Sequence, residues 1–284
     1  MTIAAIIGAG DLGGAIAQAL AARQSVDRVL IVDTAESAAR GKALDIQQSG
    51  AITGFDTKLM GTSDATRAAA CTVCVVADRF GAPSSEWSGA GAVRQIAELA
   101  SIVGDAPIVF AGAEHGTLIH DAARDGGVAH RRLIGSAPEA YASAVKAIVA
   151  MEARCAPGEV MLSVLGAPPA FVIPWSEASI GGYALQQVLT PVEFSRVDAR
   201  SRRLWPPQPY TLGIAAAVVT EGIVCSGRRA FDVLTVLDGE FGIRGGVGAV
   251  PTFLSPAGVV HRREPALTTR ERVQLETVLG AVPR

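Results

Sequence analysis

Aromatic side chains make up only 5% of this sequence, and its 284 residues include just four cysteines at irregular positions. A disulfide-stapled scaffold is thereby excluded, so an aliphatic core must hold the fold. Long apolar runs are missing too. None approaches the roughly 18 to 20 residues needed to span a bilayer, and no membrane insertion is expected. Charge of one sign is equally scarce: 25 Lys and Arg stand against 27 Asp and Glu, a net -2. No basic excess exists to neutralise a phosphate backbone, which argues against a nucleic-acid partner. The chain starts at once with the strand-like Ile3-Ala4-Ala5-Ile6-Ile7, without a charged leader, and a cytoplasmic location is expected. What is plentiful is aliphatic bulk (49% hydrophobic residues) and glycine (31), enough for one large or two smaller α/β units.

Short apolar runs alternate with amphipathic stretches through the first half. Strands are expected at residues 4–8, 28–32, 57–61, 72–77, 107–111 and 132–134, with helices between most of them, which is the pattern of a parallel sheet covered on both faces. Cys71-Thr72-Val73-Cys74 has redox spacing. Inside one strand, however, residues three apart face opposite ways, and both are expected to be core cysteines. Ser136-Ala137-Pro138-Glu139 has the form of a capping box opening a helix to about Glu152. Strands follow at 161–165 and 170–173, an Ala-rich helix at 211–225, strands at 231–237 and 248–254, and a closing helix capped by Thr268 and Glu271.

The chemistry begins at Gly8-Ala9-Gly10-Asp11-Leu12-Gly13, between the first strand and the first helix. Gly8 permits a tight turn, Gly10 lets backbone approach a pyrophosphate, Gly13 lets helix and strand pack closely, and the helix N-terminus offers N–H groups to an anion. Asp33 closes the second strand about 20 residues later, where a carboxylate accepts ribose hydroxyls and repels a 2′-phosphate, favouring NAD over NADP. The candidate cofactor contacts are Gly8, Gly10, Asp11, Leu12, Gly13 and Asp33, together with Ala77 at the end of the fourth strand. No metal-ligating set is expected.

From Gly8 onward the chain resembles the lactate/malate dehydrogenase family, the malate branch in particular, over nearly its whole length. The segments that carry the resemblance are the glycine loop, Gly41-Lys42-Ala43-Leu44-Asp45-Ile46, Gly54-Phe55-Asp56 leading to Gly61-Thr62, Arg132-Leu133-Ile134-Gly135 and Val164-Leu165-Gly166. The most family-specific is Leu237-Asp238-Gly239-Glu240-Phe241-Gly242-Ile243 with Gly248 and Pro251. The resemblance implies an α/β protein, with a Rossmann doubly wound parallel sheet over residues 1–136 and an α+β substrate domain over 137–284. It also implies NAD, hydride transfer with 2-hydroxy acids, and homodimers or homotetramers.

Laid on this chain, the family's pattern loses its working parts. The catalytic His falls on Pro168, its Asp partner on Tyr141, the carboxylate-binding Arg on Ala144, the two loop arginines on Gly81 and Trp87, and the Asn on Gly112. None of these can carry a proton as an imidazole does or grip a carboxylate bidentately. No catalytic residue is assigned. His115, just beyond a strand end, and Arg79, two places before Gly81, are the only nearby substitutes, and Tyr141 lacks the Lys four residues on, where Val145 stands. Tyr141 is expected to fill the vacated pocket, with Trp87 beside it. The residue after Ala77, normally glycine, is Asp78, whose charge opposes a diphosphate unless turned away or paired. Three readings remain open: an NAD(H)-binding relative with lost or altered 2-hydroxy acid chemistry, an oxidoreductase for another carbonyl or alcohol, and a non-catalytic partner subunit.

Overall fold

The computed structural model describes residues 1–83 and 86–280. Its first half runs β1 (Ile3–Ile7), α1 (Asp11–Arg23), β2 (Arg28–Val32), α2 (Glu36–Thr53), β3 (Lys58–Thr62), β4 (Val73–Val76), α3 (Gly89–Ile102), β5 (Ile108–Phe110), α4 (Gly116–Arg124) and β6 (Leu133–Gly135). The six strands pair in parallel in the order β3-β2-β1-β4-β5-β6. Successive residues of β1 serve opposite faces: Ala4 and Ile6 join one core cluster, whereas Ala5 joins the other. Burial on both faces explains why the inner strands β1, β4 and β5 read as unbroken apolar runs, whereas edge strand β3 is half exposed. The order reverses between β1 and β4, and the crevice beyond the carboxyl ends of those strands is where a doubly wound sheet holds ligands.

The second half adds α5 (Ala137–Ala153), β7 (Val160–Met161), β8 (Leu165–Ala167), β9 (Ala170–Val172), β10 (Ser179–Ile180), β11 (Tyr183–Ala184), α6 (Leu185–Val188), α7 (Pro191–Ser201), α8 (Pro209–Val224), β12 (Ala230–Asp238), β13 (Arg244–Ser255), β14 (Gly258–Arg262) and α9 (Thr269–Gly280). Antiparallel β12 attaches to β6, so the sheet continues through β13, β8 and β9, with β14 paired to the far end of β13 on the same edge as β8. A mixed α+β domain thus follows the parallel one. Helix α8 lies on α1, where Gly213 allows backbone to approach Ala15.

Two expectations change. Ser136 makes no capping bond through its side chain. Its intended partner, Glu139, instead accepts the amide of Asp232 (3.0 Å) and pairs with Arg229. Cys71 does not lie in β4, which starts at Val73; a short helical turn ends at Cys71, so it joins Cys74 in the same core cluster rather than facing away from it. Both are free and buried, and burial pushes the Cys71 thiol up to about 11. They remain core residues.

Candidate functional site

Gly8 adopts φ +121°, and a side chain on it would collide with the carbonyl of Asp78. A side chain on Gly13 would collide with the carbonyl of Gly8. Both glycines are therefore required by close approach of backbone. Helix α1 starts without a side-chain cap, with Gly10 as its N-cap residue. Leu12 is buried in the core, while Asp11 projects into solvent, its carboxylate 94% exposed and 3.8 Å from Lys42 Nζ. Lys42 Nζ also donates to the carbonyl of Gly10 (2.6 Å).

Asp33 ends β2 as expected but is only 3% exposed. Its Oδ2 accepts the amides of Ala9 (2.7 Å) and Phe80 (2.9 Å), and its Oδ1 accepts that of Ala35 (2.9 Å). Ala77 is fully buried, and its carbonyl accepts the indole N–H of Trp87 (2.7 Å). Asp78 is not turned away. Its Oδ1 accepts the Gly13 amide (2.9 Å), its carbonyl accepts the Gly10 amide (2.9 Å), and its carboxyl group fills the space a Gly10 side chain would need. The turn, the helix N-terminus and the position of Asp33 suit a dinucleotide, but the place of its diphosphate holds a side-chain carboxylate.

Beyond β5 lies a cavity of about 650 Å³ between α4, the β8–β9 turn and α9. Its walls are Ala113, Gly116, Pro168, Pro169, Val247, Val278 and Trp205, with Glu114, Thr117, His120 and Thr277 as polar members. Among the described residues no lysine or arginine lines it. His120 Nδ1 lies 3.2 Å from the Asp121 carboxylate, and the ring, 5% exposed, forms part of the wall. Sequence reading passed over His120. The available signal was its spacing of four from Gly116, which puts both on one face of α4.

The named substitutes are engaged elsewhere. The Nδ1 of His115 accepts the Gly112 amide (3.1 Å), and burial lowers this imidazole to about 4, so it is neutral at physiological pH and ties down the loop between β5 and α4. Its ring stands edge-on to Trp87 and Phe110. Arg79 lies over the Trp87 ring, 4.6 Å from its centroid, and bonds Gln95 (2.6 Å). Tyr141 donates to the carbonyl of Ser201 (3.2 Å) and stacks on Phe171. Tyr141 and Trp87 thus sit in different core clusters rather than side by side. Ala144 is half-buried on α5, and Gly81 is exposed at φ +70°.

The titration of His115 gives a testable consequence. Unfolded, a histidine takes its proton near 6.5, and in the fold only near 4. As pH falls through that window the unfolded chain binds a proton that the folded chain refuses, so stability drops by roughly 3 kcal/mol at most. His115→Asn, which keeps an acceptor without a titratable ring, is expected to flatten this acid limb in urea melts between pH 6.5 and 4. An unchanged limb would show that His115 does not cause it.

Comparison with known proteins adds the following. Residues 2–85 match the family model described as lactate/malate dehydrogenase, NAD binding domain. The chain is 28% identical to a malate dehydrogenase of Thermomicrobium roseum over 295 residues, covering 98% of this chain and 94% of that one. It is 27% identical to a malate dehydrogenase of Cytophaga hutchinsonii, covering 96% and 93%. Among solved structures, malate dehydrogenase from Salinibacter ruber superposes with a TM-score of 0.88 at 24% identity, covering 98% and 94%. A lactate dehydrogenase from Cryptosporidium parvum, solved with lactic acid and nicotinamide adenine dinucleotide, gives 0.89 at 22% identity, covering 98% and 95%. These two structures speak for the fold.

Proposed function

Homology of this chain to the lactate/malate dehydrogenases is the premise from which we propose its function: an NAD(H)-binding relative in which the family's 2-hydroxy acid chemistry is lost or altered. The N-terminal part is of the NAD-binding type. Gly8, Gly10, Asp11, Leu12, Gly13, Asp33 and Ala77 are the residues we assign to the dinucleotide, which would supply the hydride. A further domain, from about residue 137, would supply the substrate side.

The observation that carries this reading is the cavity wall. Where a hydroxy acid would need an arginine for its carboxylate, no lysine or arginine among the described residues lines the cavity; the β8–β9 turn presents Pro168 and Pro169, and Glu114 adds a carboxylate of its own. An anionic substrate would lose its hydration there and gain no counter-ion, which is costly. A steady-state assay of NADH oxidation over a panel of 2-oxo acids tests the reading. Background rates are expected, and robust turnover of oxaloacetate or pyruvate would end it.

One observation favours a second reading, an NAD-dependent oxidoreductase for a neutral, largely apolar carbonyl or alcohol. It is the His120–Asp121 pair in the cavity wall, since an imidazole held by a carboxylate is the usual general acid–base arrangement. His115 and Tyr141 are withdrawn from that role by their burial and their backbone bonds.

We further propose that the chain self-associates through α2 and α8, where Tyr210 and Ile214 are exposed along a groove beside α1 and Leu44 is exposed on α2. Sedimentation velocity is expected to show a dimer or tetramer; a strict monomer would refute this.

A further inference from the structure

Asp33 and the Gly13 amide are the two polar anchors of the crevice, and one short segment occupies both. Asp78 gives its carboxylate to the Gly13 amide (2.9 Å), and two residues on, Phe80 gives its amide to the Asp33 carboxylate (2.9 Å). Between them, the Asp78 carbonyl takes the Gly10 amide (2.9 Å). The chemistry matches that of a dinucleotide piece by piece. An anion sits at the helix N-terminus, where backbone N–H groups and the helix dipole favour negative charge. A donor meets the carboxylate at the end of β2, where a ribose hydroxyl would donate.

The segment is also fastened from outside. The amide of Arg79 donates to Glu86 Oε1 (2.7 Å), its guanidinium rests on Trp87, and Trp87 in turn bonds the carbonyl of Ala77. Phe80 itself remains 57% exposed. Its side chain is not what holds the segment down; the backbone and Asp78 are.

We propose that residues Asp78 to Phe80 form an internal pseudo-ligand of the nucleotide site, and that NAD(H) binds only by displacing them. This rests on the assignment of Gly8 to Gly13 as a nucleotide loop. A diphosphate approaching Gly10 would otherwise press two negative groups into one position, a repulsive pairing in a partly desolvated crevice. Removing the Asp78 carboxylate frees the Gly13 amide and the space over Gly10 at once. Removing only its charge, as in Asp78→Asn, leaves an acceptor on the amide but relieves the repulsion.

The experiment pairs two readouts on wild type, Asp78→Gly and Asp78→Asn. NADH and ADP-ribose are titrated by calorimetry and fluorescence, and exchange of the Gly13 amide is followed by NMR in the ligand-free proteins. Asp78→Gly is expected to bind both probes at least ten-fold more tightly than wild type, with Asp78→Asn between them, and its Gly13 amide to exchange at least ten-fold faster. Equal, measurable affinities in all three proteins would overturn the pseudo-ligand while leaving the NAD assignment in place. Unchanged exchange at Gly13 would overturn the anion contact itself. Faster exchange with no binding by any protein would overturn the NAD assignment, and displacement by NAD(H) with it.

Discussion

Protein supplied with NADH and oxaloacetate or pyruvate is expected to turn over at the background rate, and Pro168→His is expected not to rescue it. Losing a general acid–base group alone costs about 10² to 10⁴-fold in rate. Losing the bidentate partner of a carboxylate in a desolvated cleft costs about 2 to 5 kcal/mol besides. The two losses need not add, because residues that act as a unit fail as a unit. That same coupling explains the expected failure of rescue. A histidine at 168 would hang from the β8–β9 turn into a wall of Pro169, Val278 and Trp205. No carboxylate would hold its tautomer from α5, because Tyr141 is stacked on Phe171 with its hydroxyl bonded to Ser201. Ala144, one turn further along α5, offers nothing to a substrate carboxylate. Rates of Pro168→His that rise a hundred-fold over wild type on oxaloacetate or pyruvate would show that the remaining groups are in place after all.

The parallel half of the fold was legible because its signals are local. The strand character of β1 and β2, the positive φ of Gly8 and the close packing at Gly13 follow from residue types within a few positions of each other. The elements that escaped are those decided at long range. The Ser136 box fails because Glu139 is claimed by Asp232 and Arg229, about ninety residues away. Helix α7 was missed although Thr190 and Glu193 form a complete capping box in front of it. Its polar, proline-flanked sequence has a weak apolar stripe, and packing on α5 supplies the rest.

The site was half legible for the same reason. Asp78 could be marked as a misplaced charge from its position after Ala77. Its direction, however, was a competition between solvent and the amides of Gly10 and Gly13, and those amides are presented only once α1 has docked on β1. Which histidine meets the cavity was likewise set by the loop between β5 and α4. That loop folds His115 back onto the Gly112 amide and leaves His120 in the wall.

Asp232→Asn is expected to stabilise the protein strongly at pH 8 and hardly at all near pH 4. Asp232 lies on β12, opposite Pro251 of β13, and is only 6% exposed. Burial, and then the neighbouring Glu139 carboxylate, push its carboxyl group up to about 8 from an ordinary 3.8, with Lys146, the Val164 amide and Arg229 pulling the other way. Below 3.8 both folded and unfolded chains carry the proton, and the buried acid costs nothing. As pH rises, the unfolded chain releases its proton while the folded chain keeps it, so stability falls continuously until the folded group also ionises. The accumulated loss is on the order of 6 kcal/mol at most. Asparagine has the shape of the protonated acid, retains an acceptor for Val164, and never ionises, so it escapes the loss. Urea midpoints of wild type and Asp232→Asn, compared at matched pH, isolate this contribution, because the acid limb set by His115 runs in the opposite direction and is common to both proteins. A gap that widens from pH 4 to pH 8 is the expected result. A gap of constant size across that range would mean that Asp232 is ionised throughout, and that the Arg229 and Lys146 charges, rather than a retained proton, settle the buried carboxylates.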